Sequence, residues 1–238
     1  MKRVTWPQAW RVIASKYPPI DLFERVSDDP QVWDALIALE ELTNPRVRDQ
    51  VGNIALVAPE DRVTGPGATY VMASFTHVNP IGSRFSDGSY GVYYAASTML
   101  TAVAETIHHF QEFCRDSNDP LRSEDMRVLV GQIDRDFHTV LDLPANDAEA
   151  IINPNSYEAG RAYAAALREE GADGIHYPSV RLTGGECIAA FRPSVVGLPI
   201  QERHLKYHWN GARVDKYFDY TQNTWSHWPP RDEAEQAA

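Results

Sequence analysis

Arg84 follows Gly82 and Ser83 and precedes Phe85, so a guanidinium with several donors leaves a loop or strand end beside an apolar residue. Such a group suits bidentate recognition of a phosphate or a carboxylate. Ten residues on, Tyr94 closes an expected strand, and eleven further Glu105 lies on the helix which that strand feeds. A strand and a helix joined by a short turn can aim these side chains into one cleft. Downstream, Tyr177-Pro178-Ser179-Val180-Arg181 supplies a hydroxyl and another guanidinium at a strand end. Each residue also has an ordinary reading. Arg84 can serve a surface ion pair, Tyr94 the core, Glu105 a solvated helix face, and Ser179 a turn after proline; spacing alone leaves both readings open.

Other chemistries lack their signatures. The chain has no HExxH, no EF-hand loop, no GxxxxGK[ST] and no GxSxG elbow. His108 and His109 follow Glu105 by three and four positions, a spacing that can gather a metal on one helix face. The same residues read as a polar stripe with Thr101 and Glu112, and no metal is expected. Cys114 and Cys187 sit in apolar company, where a thiol is usually inert, and neither is assigned as a nucleophile. The glycine pairs at 65/67 and 184/185 fit turns as well as they fit a phosphate loop.

The elements that must carry the candidate residues follow from periodicity. Residues 31–43 place apolar side chains at helical spacing, and Asn44-Pro45 stops them. Two short apolar runs, 54–58 and 69–75, bounded by proline and by TGPG, are expected as buried strands. Residues 90–95 read as a strand. Ser97 or Thr98 then caps a helix to about Arg115, with Met99, Val103, Ile107, Phe110 and Cys114 as its buried stripe. A strand at 126–133, a helix at 157–170 ending at Gly171, and strands at 174–177 and 187–191 complete the pattern. The aromatic and charged tail after Pro199 is expected to pack on the core before fraying near Glu233. Unequally separated strands and helices favour an α+β arrangement, one mixed domain, over a regular doubly wound sheet.

The 238 residues suffice for one domain with extensions, and 43% hydrophobic and 11% aromatic residues are ordinary for a globular protein. An excess of 33 acidic over 22 basic residues, net charge -11, with no long basic run, argues against direct nucleic-acid binding. Two cysteines make no disulfide framework. With no apolar run near the roughly 20 residues of a membrane helix and no apolar signal core near residue 1, a soluble cytoplasmic protein is expected.

The run SRFSDGSYGVYYAASTMLTAVAETIHH, followed by DGIHYPSVRLTGGECIAAFRP, resembles the RES domain, named for its Arg, Glu and Ser. TNPRVRDQVG and VMASFTH upstream look like the longer members of that family. The resemblance puts the family's Arg on Arg84, its Tyr on Tyr94, its Glu on Glu105 and its Ser on Ser179. It implies a fold similar to ADP-ribosyltransferase toxins, with an N-terminal extension over 1–42, the RES domain over 43–198 and a C-terminal extension over 199–238. It also implies an NAD-consuming toxin of a two-gene toxin–antitoxin module, held inactive by an Xre-type helix-turn-helix antitoxin.

On that resemblance NAD is a substrate and no cofactor is expected, consistent with the missing Rossmann fingerprint. Glu105 would stabilise the oxocarbenium ion formed when the nicotinamide–ribose bond breaks. Arg84 would hold phosphates, Tyr94 would stack on nicotinamide, and Ser179 with Arg181 would line the opposite wall. Family members pass ADP-ribose to water, to phosphate or to a protein, and the sequence does not choose among them. His77 and Arg46 are supporting candidates. The rival expectation is a non-catalytic nucleotide-binding or protein-docking module.

Overall fold

Side chains alternate along the longest strand: Met126 and Val128 enter one core while Ile133 and Phe137 enter another, as opposite parity in an extended chain demands. A computed structural model describes residues 1–230 apart from 18, 19, 21, 24, 25, 28, 45 and 48–50. The expected helix stop at Pro45 and the fraying near Glu233 lie outside the described residues. The chain runs β1 (Lys2–Ala14), α1 (Trp33–Glu41), α2 (Ala68–Thr76), β2 (Tyr93–Ala96), α3 (Met99–Asp116) and β3 (Arg122–Thr139). It continues through α4 (Ala145–Ile151), α5 (Glu158–Glu169), β4 (Gly174–Pro178), β5 (Glu186–Ala190), β6 (Ile200–Trp209), β7 (Val214–Asp219) and β8 (Thr224–His227).

These strands form one mixed sheet in the order β1-β2-β5-β4-β3-β6-β7-β8, and β1 also pairs β3, so that β1, β2, β5, β4 and β3 close on themselves. β1 and β3 are antiparallel from Lys2↔Phe137 to Ala14↔Met126, with a register shift between Trp6 and Ala9. Pro7, which has no N–H to give the ladder, sits in that shift. Helix α3 begins where the Thr98 hydroxyl accepts the Thr101 N–H. It buries Ala102, Val103, Ile107, Phe110 and Cys114 against the sheet and leaves Glu105 and His109 on another face. No helix among the described residues is long and apolar enough to cross a membrane.

The α+β class expected from the sequence is the observed one, and two local expectations need correction. Residues 54–58 and 69–75 are not strands; Ile54–Leu56 is a 3-10 turn and the second run is helix α2. Its buried residues, Ala68, Val71, Met72, Phe75 and Thr76, recur at three- and four-residue steps, a helical period hidden inside a continuous apolar run. The expected strand at 126–133 is the middle of the much longer β3, and the tail after Pro199 contributes three strands that extend the sheet.

Helix α5 lies against the loop that carries Arg84, and Gly160 lets it do so. A Cβ there would stand 2.8 Å from the backbone oxygens of both Arg84 and Ile151. Two histidines tie the packing to pH. His176, fully buried on β4, has Nε2 2.8 Å from Glu186 Oε2 and Nδ1 3.1 Å from the Thr139 hydroxyl. Burial lowers its pKa below the ordinary 6.5 in spite of Glu186. His108 on α3 is pulled down to about 4, first by burial and then by Arg181, which together outweigh Glu112.

Two outcomes are expected. Gly160→Ala gains helix propensity worth about 1 kcal/mol but forces two backbone oxygens apart, so a net loss of about 1–2 kcal/mol is expected in urea unfolding. Both histidines bind protons less readily in the fold than in the unfolded chain, which takes them up below pH 6.5. The unfolded state therefore binds more protons, and stability falls as pH drops from 6.5 toward about 4. Urea midpoints measured across that window should decline, and less steeply in His108→Gln.

Candidate active site

β2 sets the geometry by its two-residue period. Tyr93 and Ala95 face one core, whereas Tyr94 and Ala96 face the other side, where β5 presents Ala189 and Cys187 opposite them. Tyr94 therefore emerges into a cavity of ≈ 960 Å³ that Arg84, Glu105 and Arg181 also line, at the upper end of the about 300–1,000 Å³ of small-molecule sites. Three residues far apart in the chain, at positions 84, 94 and 105, share one cavity.

Glu105 is held from behind. The Ser179 hydroxyl donates to Glu105 Oε1 at 2.5 Å, and its oxygen accepts the backbone N–H groups of Arg181 and Leu182, each at 3.1 Å. Ser179 sits where β4 gives way to the turn into β5, with its own N–H on Gly185 O. The sequence reading gave Ser179 direct contacts with a ligand; its hydroxyl is instead engaged with the carboxylate and the turn, and it does not line the cavity. Arg181, from the same turn, does line it.

The Tyr94 hydroxyl pairs with Ser83 Oγ at 2.8 Å and accepts the Phe85 N–H at 3.1 Å, and burial raises its pKa to about 12. It thereby clamps both residues that flank Arg84. Arg84 is 9% exposed, donates to the Asn153 carbonyl at 2.8 Å and lies over the Tyr157 ring at 4.7 Å. Cys187 lines the same cavity, but burial, with Glu105 nearby, raises its thiol pKa and keeps it protonated.

Sequence reasoning missed two further guanidiniums on these walls. Arg161, from α5, donates to the carbonyls of Ser83 and Ile81, and Arg11, from β1, donates to the Tyr94 carbonyl at 2.8 Å. Arg161 falls on the polar side of a recognisable helix and could have been found there; Arg11 lies in a strand the sequence reading did not identify. Among the described residues none of the four arginines makes an ion pair; their donors go to backbone carbonyls. Carbonyls orient a guanidinium without cancelling its charge, so the cavity suits an anion. The carboxylates on its walls are Glu105 and Glu112.

The supporting candidates fall elsewhere. His77 lines a neighbouring cavity, and Arg46 lines neither. His108, His109 and Glu112 are the described residues that could gather a metal, their ligand atoms lying within 4.8 Å of one another. Both histidines stand 3.2 Å from Glu112, and Glu105, which the spacing had set beside them, turns to Ser179.

A family model described as the RES domain matches residues 59–210. An uncharacterized protein of Sinorhizobium fredii, y4oC, is 29% identical over 211 residues, covering 89% of this chain and 86% of that one. The crystal structure of the M. tuberculosis MbcT–MbcA toxin–antitoxin complex contains a chain with 10% identity and a TM-score of 0.43, over 88% of this chain and 87% of that chain. The family match takes in Arg84, Tyr94, Glu105, Ser179 and Arg181 and leaves β1 outside. With that match spanning more than half of its length, this chain belongs to the RES domain family.

Proposed function

We propose that this protein is the toxin of a toxin–antitoxin module and that it cleaves the nicotinamide–ribose bond of NAD. The observation that carries the reading is a carboxylate, Glu105, fixed by Ser179 in a cavity whose four guanidiniums have no carboxylate partners among the described residues. Membership of the RES family adds the expectation of a toxin and of a helix-turn-helix antitoxin.

The chemistry divides among the residues as follows. The diphosphate of NAD meets Arg84 and its neighbours, which neutralise it and hold the scissile bond in place. Breaking that bond sends its electron pair to the nicotinamide nitrogen, which becomes neutral, and leaves positive charge on the anomeric carbon and ring oxygen. The free oxygen of Glu105 stabilises that charge as it develops. An acceptor oxygen from water, phosphate or a protein then bonds to the anomeric carbon and loses its proton. Ser179 acts as a positioning residue, since its hydroxyl holds the carboxylate and does not reach the substrate.

Nicotinamide release separates this reading from a pure binder, which would take up NAD and liberate none. Purified protein, free of any partner, is expected to consume NAD. Glu105→Gln should abolish turnover with NAD still bound, and an unchanged rate would refute the role of Glu105. Ser179→Ala should lower kcat by about tenfold to a hundredfold at nearly constant KM, as a loosened carboxylate predicts; equal losses in KM would place Ser179 on the substrate instead. The product profile with and without phosphate and cell extract identifies the acceptor. An acidic toxin leaves DNA contact to its antitoxin, so the isolated chain should not bind operator DNA tightly in a mobility-shift assay.

A further inference from the structure

Helix α3 carries a second group of side chains with ligand chemistry just beyond Glu105. His108, His109 and Glu112 occupy positions i, i+1 and i+4, so the carboxylate stands about one turn along from both imidazoles. The structure divides it between them: Glu112 Oε1 is 3.2 Å from His108 Nε2, and Oε2 is 3.2 Å from His109 Nδ1. The three ligand atoms lie within 4.8 Å of one another, and the two rings stand 5.2 Å apart. His108 Nε2 is buried, yet its contact with Glu112 lacks hydrogen-bond geometry and it has no hydrogen-bond partner among the described residues. A merely solvated helix face would put its ring nitrogens in water; a buried nitrogen left unanswered is a cost that a ligand removes.

We infer that His108, His109 and Glu112 hold a divalent transition-metal ion of the zinc class on the rim of the cavity, which His109 and Glu112 line. Spacing in the sequence left these residues as a polar stripe with no metal expected, and the convergence of their ligand atoms is the added observation. Nitrogen and oxygen ligands lie about 2.0–2.2 Å from zinc, so neighbouring corners of its tetrahedron are roughly 3.3–3.6 Å apart. The two 3.2 Å separations at Glu112 are close to that edge, and His109 at 60% and Glu112 at 48% exposure have room to swing onto one ion. The donor set selects the metal. Two imidazoles and a carboxylate suit zinc, nickel or copper, whereas magnesium and calcium take oxygen ligands. Arg181 and Arg115 set positive charge near His108, which disfavours an ion held by charge alone and leaves the metal–imidazole bond as the source of affinity. The proposed NAD chemistry uses none of these three side chains, so the inference stands apart from it.

The test titrates zinc chloride into the full chain after treatment with a chelator, read by calorimetry, with magnesium chloride at the same concentrations as the comparison. Zinc should bind and magnesium should not. His109→Ala and Glu112→Gln should each weaken zinc binding by about tenfold or more, since losing even an outer-shell partner of a ligand costs that much. Both side chains are exposed, so without metal the urea midpoints of these variants at neutral pH should stay near that of the unaltered chain, which shows that they fold. Zinc should raise the midpoint of the unaltered chain, because it binds the folded state, and leave that of the double variant where it was. No zinc binding by the unaltered chain, magnesium bound as tightly as zinc, or zinc affinity unchanged in the double variant overturns the inference.

Discussion

A guanidinium that donates to a peptide carbonyl is oriented but keeps its whole charge, and this condition underlies the site. Arg11, Arg84, Arg161 and Arg181 are each fixed by backbone oxygens, which are abundant where loops converge at the end of a sheet. Had carboxylates done the fixing, the geometry would be similar and the field would vanish. The contrast with the rest of the molecule is large, since the chain carries a net charge of -11 and most of its surface repels an anion. A local positive pocket in an acidic protein focuses an anion to one place.

The carboxylate is fixed in place as well. Glu105 on α3 and Ser179 at the end of β4 come from elements 74 residues apart in the chain, and the 2.5 Å bond between them crosses the cavity wall. Two turn N–H groups polarise the serine hydroxyl that donates this bond, and hydrogen bonds in series strengthen one another. Tyr94 plays the corresponding part for the loop, spending its hydroxyl on Ser83 and Phe85 so that Arg84 between them is held. The residues read as one constellation thus divide into those that face the cavity and those that hold the facing ones still.

How much of this was legible in the sequence depended on range. The cap at Thr98, the buried stripe of α3 and the Gly171 stop of α5 are local signals, and they located their elements within a residue or two. Residues 69–75 defeated periodicity because an unbroken apolar run fits a buried helix and a buried strand alike. β1 was hidden by Pro7 and by the register shift around it, which interrupts the two-residue alternation. Arg84, Tyr94, Glu105 and Arg181 could be named from residue type and family resemblance. Their shared cavity, the Ser179–Glu105 bond and Arg11 depend on tertiary contacts, which one-dimensional spacing does not encode.

The closure of β1 onto β3 also governs when this site can exist. β1 leaves the ribosome ahead of α3, yet its hydrogen-bonding partners on β3 are more than a hundred residues downstream, and long-range pairing of this kind forms late and slowly. Arg181 and Cys187 emerge later still. A nascent chain therefore has its carboxylate, its loop arginine and its first-strand arginine in hand long before it has a cavity, and the complete pocket forms only once the segment carrying Arg181 and Cys187 has been made.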